Sequence, residues 1–153
     1  MITIRTAQRS DAETIAGFNV AMAKETEHFD LDAARTLRGV HGMLDDPHNG
    51  FYLVAESDNK IVGQLMITYE WSDWRNGVFW WIQSVYVAQE FRAQKVFRSL
   101  YDHVITLAKE RGNVCGIRLY VEKDNERAQA VYKKLGMKTT DYQMLEVDFV
   151  LKR

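Results

Sequence analysis

The chain has 153 residues, of which 46% are hydrophobic and 27% charged, and its formal net charge is −1. This length is sufficient for one domain with its own core, so we expect a single domain over residues 1–153. The near-neutral charge provides no overall basic field and argues against a nucleic-acid partner. Cys115 is the one cysteine, which excludes an internal disulfide, and it has no metal-ligand spacing with the four histidines. We therefore expect no metal.

The amino terminus and the apolar runs predict where the protein is found. Residues 1–5 lack the long apolar core of a signal peptide. No apolar run approaches the length needed to cross a bilayer. We therefore expect a cytoplasmic protein that has no membrane partner.

The first half of the chain predicts one strand, then two helices, then two strands. Residues 10–13 (Ser-Asp-Ala-Glu) form a capping-box pattern that starts a helix. Residues 45–50 end a second helix with strong turn chemistry, and residues 57–60 (Ser-Asp-Asn-Lys) are typical of a hairpin turn. The predicted elements are a strand over 2–7, helices over 10–25 and 31–44, and strands over 51–56 and 61–71.

The second half continues the alternation. Residues 78–87 are apolar on both faces, which predicts a central strand. A helix then follows and ends at Gly112, with a buried stripe made of Val96, Leu100, Val104 and Ala108. A further strand over residues 117–121, a short helix capped by Asn125 and a final strand over residues 145–151 complete the order. We therefore expect an α+β domain with a central mixed, mostly antiparallel sheet of six to seven strands flanked by about four helices.

Residues 80–100 carry the most informative local pattern. The central strand leads into a basic loop and then into a helix that we expect to begin near Gln94. No Ser, Thr, Asp or Asn stands where it could cap the first amides of this helix. Arg92, Lys95 and Arg98 gather at the helix end that is already positive. This pattern is typical of an anion site, for which phosphate is the usual ligand. A poorly capped surface helix with solvated basic residues is the alternative, and this segment alone does not decide between them.

Two motifs in the chain resemble signatures of the GNAT superfamily of N-acetyltransferases. Residues 87–92 (Val-Ala-Gln-Glu-Phe-Arg) are similar to the family's V-x-P-x-x-R pattern, which precedes its cofactor loop. Residues 125–137 match the spaced pattern N-x-x-A-x-x-x-Y-x-x-x-G-F/M on the next helix. Residues 70–77 and 80–87 also look like one particular subgroup of these proteins. The resemblance covers nearly the whole chain.

The resemblance implies acetyl-CoA as co-substrate and assigns roles by position. The backbone of residues 85–87 would pair with the pantetheine arm as an added strand would, and the amides of the loop would hold the pyrophosphate. Asn125 and Ala128 belong to the second motif, in which Asn125 would hold the cofactor and Tyr132 would lie by the sulfur. The implied cofactor-binding residues are Val85, Tyr86, Val87, Arg92, Ala93, Gln94, Lys95, Val96, Phe97, Arg98, Asn125, Ala128 and Tyr132.

The loop departs from the family pattern at its glycines. Lys95 and Phe97 stand where Gly and Gly or Ala are usual, and Ala93 occupies another common glycine position. A Cβ atom at these positions could crowd a phosphate, because glycine permits the closest backbone approach. The alternative interpretation is that the amides still face inward while the Lys95 ammonium adds a direct phosphate contact.

The chemistry of acetyl transfer requires an acid for the leaving sulfur and a route for the proton of the amine. Tyr132 is the candidate general acid. Glu70 and Glu27 are candidate bases, and Glu25 is a further candidate beside Glu27. Some relatives carry Glu on the central strand where this chain has Gln83 or Ser84, and neither of these is a competent base. A chain of water molecules could also accept the proton.

The sequence therefore predicts an N-acetyltransferase that moves acetyl from acetyl-CoA to a primary amine by direct attack in a ternary complex. The alternative is a non-catalytic acyl-CoA-binding or protein-interaction module with the same fold. The four tryptophans lie around one predicted hairpin, where they could form core, a contact between copies in a homodimer, or a wall for a cationic amine.

Overall fold

The computed structural model describes all 153 residues and contains five strands and four α-helices. Two compact units divide the chain: Met1–Leu119 contains the whole sheet and three helices, and Tyr120–Arg153 contains the fourth helix. The α+β class is confirmed, with five strands instead of six to seven. The elements are β1 (Thr3–Thr6), α1 (Ala12–Glu27), α2 (Ala33–Asp45), β2 (Phe51–Ser57), β3 (Lys60–Ser72), β4 (Gly77–Val87), α3 (Val96–Arg111), β5 (Val114–Arg118) and α4 (Glu126–Lys134).

The sheet has the order β1-β2-β3-β4-β5 and is mixed, as predicted. The first three pairings are antiparallel, and β5 lies parallel to β4 because α3 provides the crossover between them. The predicted hairpin between β2 and β3 is confirmed. Its two central residues, Asp58 and Asn59, have φ values of 50° and 61°, as a type I′ turn requires.

The core of the first unit lies on both faces of the sheet. Alternate residues of β2 belong to different clusters: Leu53 packs with α3, and Val54 packs with α1 and α2. The predicted stripe of α3 is confirmed, since Val96, Leu100 and Val104 are at most 2% exposed. No helix of the chain is long and apolar enough to span a membrane.

The predicted capping box at residues 10–13 is wrong. A short 3-10 turn over Arg9–Asp11 precedes α1, and Gln8 stands at its start. The Asp11 carboxylate accepts a hydrogen bond from the Gln8 amide at 2.8 Å and two from Arg5 at 2.8 and 3.0 Å. Because the Asp11 carboxylate accepts the hydrogen bond of the Gln8 amide, the first turn begins after Gln8, two residues earlier than the Ser10 pattern indicates.

Two strand predictions also differ from the structure. The strand expected over residues 117–121 is β5, which begins earlier because its partners are Val78–Trp81 at the start of β4. Residues 145–151 alternate apolar and charged side chains but form no strand. Leu145, Val147 and Phe149 are instead largely exposed. Alternating apolar and charged residues would give a strand one apolar face. A strand also needs a neighbouring backbone for its hydrogen bonds, and this segment pairs with none.

The ion pair between Asp11 and Arg5 gives a prediction for stability. The Arg5 guanidinium holds the pKa of Asp11 below its usual value, so this contribution is present above about pH 4 and is lost as the pH falls further. Asp11→Asn should lower the free energy of unfolding at pH 7 by about 1–3 kcal/mol, because Arg5 loses a charged partner at a buried site. It should also reduce the loss of stability below pH 4.

Urea unfolding at several pH values measures both effects. Asp30→Asn is the matched control, because Asp30 pairs with Lys24 at 2.9 Å in an exposed position and exposed pairs contribute little. Equal unfolding free energies for Asp11→Asn and Asp30→Asn would contradict the prediction.

Candidate active site

A β-bulge interrupts β4 near its end. Gln64 of β3 lies opposite Tyr86 and Met66 lies opposite Gln83, so Ser84 and Val85 together face a single residue of β3. Ser84 adopts a left-handed conformation with φ of 53°. The extra residue reverses the alternation of the strand: Trp80 and Ile82 face the α3 cluster before the bulge, and Val85 and Val87 face it afterwards.

The bulge lies beside an open strand edge. β5 pairs with β4 only from Val78 to Trp81, so residues 82–87 have a strand neighbour on the β3 side alone. The backbone groups on the other side of these residues are therefore available to an extended ligand, as at any sheet edge. Val85, Tyr86 and Val87, the residues expected to pair with a pantetheine arm, all lie on this edge.

The loop after β4 adopts the backbone conformation expected of glycine. Ala93 has φ of 65° and Lys95 has φ of 63°, although both carry a Cβ atom. α3 begins at Val96, two residues later than predicted, because Lys95 stands at its N-cap in the left-handed region. No side chain caps this end and its first turn has no acidic residue. The first amides of α3 therefore have no side-chain cap, as the sequence predicts.

The three predicted cations have different surroundings. Arg92 donates to the Val87 carbonyl at 2.9 Å and to Glu25 of α1 at 2.8 Å, and it lies over the Tyr86 ring. Arg98 pairs with Asp102 one turn along α3, at 3.1 Å. Lys95 is in no ion pair of the structure. Its ammonium is therefore the cation of this loop that an anion can reach without displacing a carboxylate.

The other loop residues hold the backbone in place. The Gln94 side chain donates to the Glu90 carbonyl at 3.1 Å. Val96 is buried against the sheet, and Phe97 packs against Tyr101 with ring centres 6.2 Å apart. Phe97 occupies a predicted glycine position but lies within α3, so a side chain there needs no special backbone conformation.

The second motif lies in the unit Tyr120–Arg153. Asn125 caps α4 as predicted, and its side chain accepts a hydrogen bond from the Ala128 amide at 3.1 Å. Gly136 has φ of 94° just after the helix, which explains the need for glycine there. Tyr132 is half-buried, and burial raises its pKa. Its phenol therefore keeps its proton at neutral pH.

The candidate bases lie in different settings. Glu70 on β3 accepts hydrogen bonds from the Trp81 indole at 2.9 Å and from Arg118 at 2.8 Å. These contacts hold the pKa of Glu70 below its usual value, which makes it a weaker base. Glu27 is the last residue of α1 and is exposed. Glu25 lies closest to the end of β4, since it contacts both Tyr86, at 3.3 Å, and Arg92.

The tryptophans separate into core and surface. Trp80 is buried beneath α3, whereas Trp71 and Trp74 at the tip of the β3–β4 hairpin are largely exposed. Gln83 donates to the Thr68 hydroxyl at 2.7 Å. No carboxylate is therefore provided at this position of β4.

The bulge and its support are the features that the sequence interpretation missed. Their signal is present in the spacing of apolar residues that face α3: Trp80, Ile82, Val85 and Val87 are separated by two, three and two positions. Residues on one face of a regular strand recur every two positions, so a spacing of three marks an inserted residue. Gln64, a polar residue that is fully buried at this point of β3, was not singled out either.

Comparisons with known proteins agree with this geometry. The model of the acetyltransferase (GNAT) family matches residues 12–137. A possible acetyltransferase from Clostridium difficile 630 is 45% identical over 98% of this chain and 99% of its own, with a TM-score of 0.91. None of the curated proteins matches significantly.

Two more distant structures share the fold. A predicted acetyltransferase with acetyl-CoA from Clostridium acetobutylicum is 22% identical over 98% of this chain and 97% of its own, with a TM-score of 0.78. A ribosomal-protein-alanine N-acetyltransferase from Brucella melitensis is 17% identical over 97% of this chain and 99% of its own, with a TM-score of 0.79. Because the family match spans most of the sequence, this chain belongs to the acetyltransferase (GNAT) family.

Proposed function

We propose that this protein transfers acetyl from acetyl-CoA to a primary amine by direct attack in a ternary complex. The observation that carries the proposal is the open edge of β4, which leads directly into an uncapped helix start beside Lys95. An extended chain of amides that ends in a pyrophosphate fits this order, in which the strand edge comes first and the helix start follows. The Clostridium acetobutylicum structure with acetyl-CoA adds support for the co-substrate through its shared fold.

The proposed binding roles take the geometry as their support. The backbone of Val85 and Val87 would pair with the amides of the pantetheine arm. The first-turn amides of α3 and the Lys95 ammonium would hold the pyrophosphate. Arg92 would act differently from our first expectation, because it joins the end of β4 to Glu25 and so holds the loop in place.

The chemistry requires little more than positioning and proton transfer. Acetyl-CoA supplies an activated thioester carbonyl, to which the amine nitrogen bonds as the carbon–sulfur bond breaks. Tyr132 would give its hydroxyl proton to the leaving sulfur. Glu27 and Glu70 remain candidate bases, with Glu70 disfavoured by its contacts with Trp81 and Arg118. A cytoplasmic location and a homodimer also remain predictions.

A non-catalytic acyl-CoA-binding or interaction module is the second candidate. The neutral Gln83 on β4 and the exposed Trp71 and Trp74 favour it. The enzyme and the acyl-CoA-binding module both bind acetyl-CoA, but only the enzyme releases CoA from the thioester. A pure interaction module would bind no CoA and form a stable complex with another protein.

Calorimetry and a thiol assay test the proposal together. We expect saturable binding of acetyl-CoA and amine-dependent release of free CoA across a panel of primary amines. Binding without thiol release would favour the second candidate. No heat of binding at millimolar acetyl-CoA would contradict the enzyme and the acyl-CoA-binding module, and it would leave the interaction module.

Lys95 gives a prediction in which stability and binding change in opposite directions. Lys95→Gly should raise the free energy of unfolding by about 1 kcal/mol, because glycine carries no left-handed penalty. The same change should weaken acetyl-CoA binding about tenfold, since a charge-assisted contact is worth about 1.5–3 kcal/mol.

Two controls separate these effects. Gln94→Gly changes the neighbouring position, which is not left-handed, and should lower stability while leaving the ammonium in place. Lys60→Ala removes an exposed lysine from the β2–β3 hairpin and should change neither quantity. Unchanged acetyl-CoA affinity in Lys95→Gly would remove Lys95 from the pyrophosphate site.

Tyr132 gives a pH prediction. Because burial raises its pKa, the phenol stays protonated through the neutral range and loses its proton only above about pH 10. Turnover should therefore fall on the alkaline side above that pH. Tyr132→Phe should lower kcat at pH 8 about 10²-fold, within the usual range for a general acid, and leave acetyl-CoA affinity nearly unchanged. A kcat equal to that of the parent protein would exclude Tyr132 as the acid.

A further inference from the structure

A buried polar network connects α1, β2 and β3 to the bulge of β4. Gln64 is 0% exposed, and its side-chain amide donates to the Asn19 side chain at 2.9 Å and to the Ser84 carbonyl at 3.2 Å. Asn19 in turn hydrogen-bonds the hydroxyl of Tyr52, which is 3% exposed. Three side chains from three elements therefore form a hydrogen-bonded series, and its last member, Gln64, donates to the Ser84 carbonyl.

This carbonyl is the one that the bulge removes from the sheet ladder. Ser84 has no register partner on β3, because the pairing passes from Gln83 directly to Tyr86. A buried carbonyl without a partner is costly, and the Gln64 amide replaces the missing ladder bond. The left-handed φ of Ser84 is thereby stabilised by a side chain.

The orientation of one peptide plane follows from this hydrogen bond. The peptide between Ser84 and Val85 is trans, so its N–H points opposite to its C=O. Since the Ser84 carbonyl faces Gln64, the Val85 N–H points away from Gln64. No strand of the sheet pairs with Val85, so this N–H is oriented by the bulge and not by a ladder.

The network also carries a cost that a purely structural role does not explain. The Gln64 carbonyl oxygen is buried and has no hydrogen-bond partner. Buried polar atoms of this kind destabilise a fold. An apolar residue would avoid this cost at a regular strand position, so the advantage of Gln64 lies in the Ser84 carbonyl that it holds.

We propose that Gln64 is a positioning residue, which fixes the Ser84–Val85 peptide so that the Val85 N–H donates to the thioester carbonyl of the acyl donor. The inference rests on the proposed function, because it requires the donor to lie along the open edge of β4. A preorganised amide at that place stabilises the negative charge that develops on the carbonyl oxygen during attack. Asn19 and Tyr52 keep the Gln64 side chain in a single orientation.

The test compares Gln64→Leu with a matched core variant. Val54→Ala is the control, because Val54 is fully buried and lies directly opposite Gln64 on β2, yet its apolar side chain has no donor for the bulge carbonyl. Gln64→Leu should lower kcat about 10- to 100-fold, less than the 10²–10³-fold cost of deleting an oxyanion donor outright. The KM for acetyl-CoA should change by no more than about twofold, because the donor's binding contacts remain.

The infrared spectrum of bound acetyl-CoA with a ¹³C-labelled carbonyl gives a readout that stability alone does not change. The parent protein and Val54→Ala should shift the thioester carbonyl stretch to lower frequency, and Gln64→Leu should lose most of that shift. If Gln64→Leu does not fold, Asn19→Ala removes the acceptor that orients the Gln64 amide and should reduce the same shift.

The outcomes separate this inference from the proposed function. If the parent protein binds no acetyl-CoA, the proposed function fails. If the parent binds and transfers acetyl but Gln64→Leu matches Val54→Ala in both kcat and carbonyl frequency, the role of Gln64 is overturned and the proposed function stands.

Discussion

The inserted residue in β4 is the constraint on which the candidate site depends. Ser84 in its left-handed conformation reverses the alternation of the strand. Even-numbered residues such as Trp80 and Ile82 face α3 before it, and odd-numbered residues, Val85 and Val87, face α3 after it. β5 pairs only with the part of β4 before the bulge. After Trp81, β4 therefore has no strand partner on the β5 side, and the proposed function places the thioester along this open edge.

The loop that follows has two features on which the proposed anion site rests. Its backbone at Ala93 and Lys95 adopts the conformation that glycine provides most easily, and the chain accepts the associated strain. At the same position, Lys95 provides a charge that no carboxylate neutralises. Arg92 and Arg98, which the sequence groups with Lys95, form ion pairs with Glu25 and Asp102. The apparent cluster of three cations is thus one ammonium outside any ion pair and two guanidinium groups that are paired with carboxylates.

Much of the fold could be predicted from periodicity and turn chemistry. The α3 stripe, the hairpin at Asp58 and Asn59 and the cap at Asn125 are local signals, and the structure confirms each of them. The capping box at Ser10 was wrong because Arg5, distant from the pattern, determines what Asp11 binds. The strand over residues 145–151 was wrong because alternation does not supply a pairing partner. Long-range partners decided both cases.

The site was predicted less completely than the fold. The loop residues and the second motif could be found from spacing, because each lies on one short segment. The network of Gln64, Asn19 and Tyr52 could not, because its members are separated by up to 45 positions and each alone has the character of an ordinary strand or helix residue.

Amide hydrogen exchange followed by mass spectrometry tests the central claim most directly. The account predicts that acetyl-CoA slows exchange in peptides that cover residues 82–97, where the open edge of β4 and the start of α3 would gain hydrogen bonds. Peptides from β1 and β2 should exchange at unchanged rates. Unchanged exchange over residues 82–97 at saturating acetyl-CoA would contradict the account.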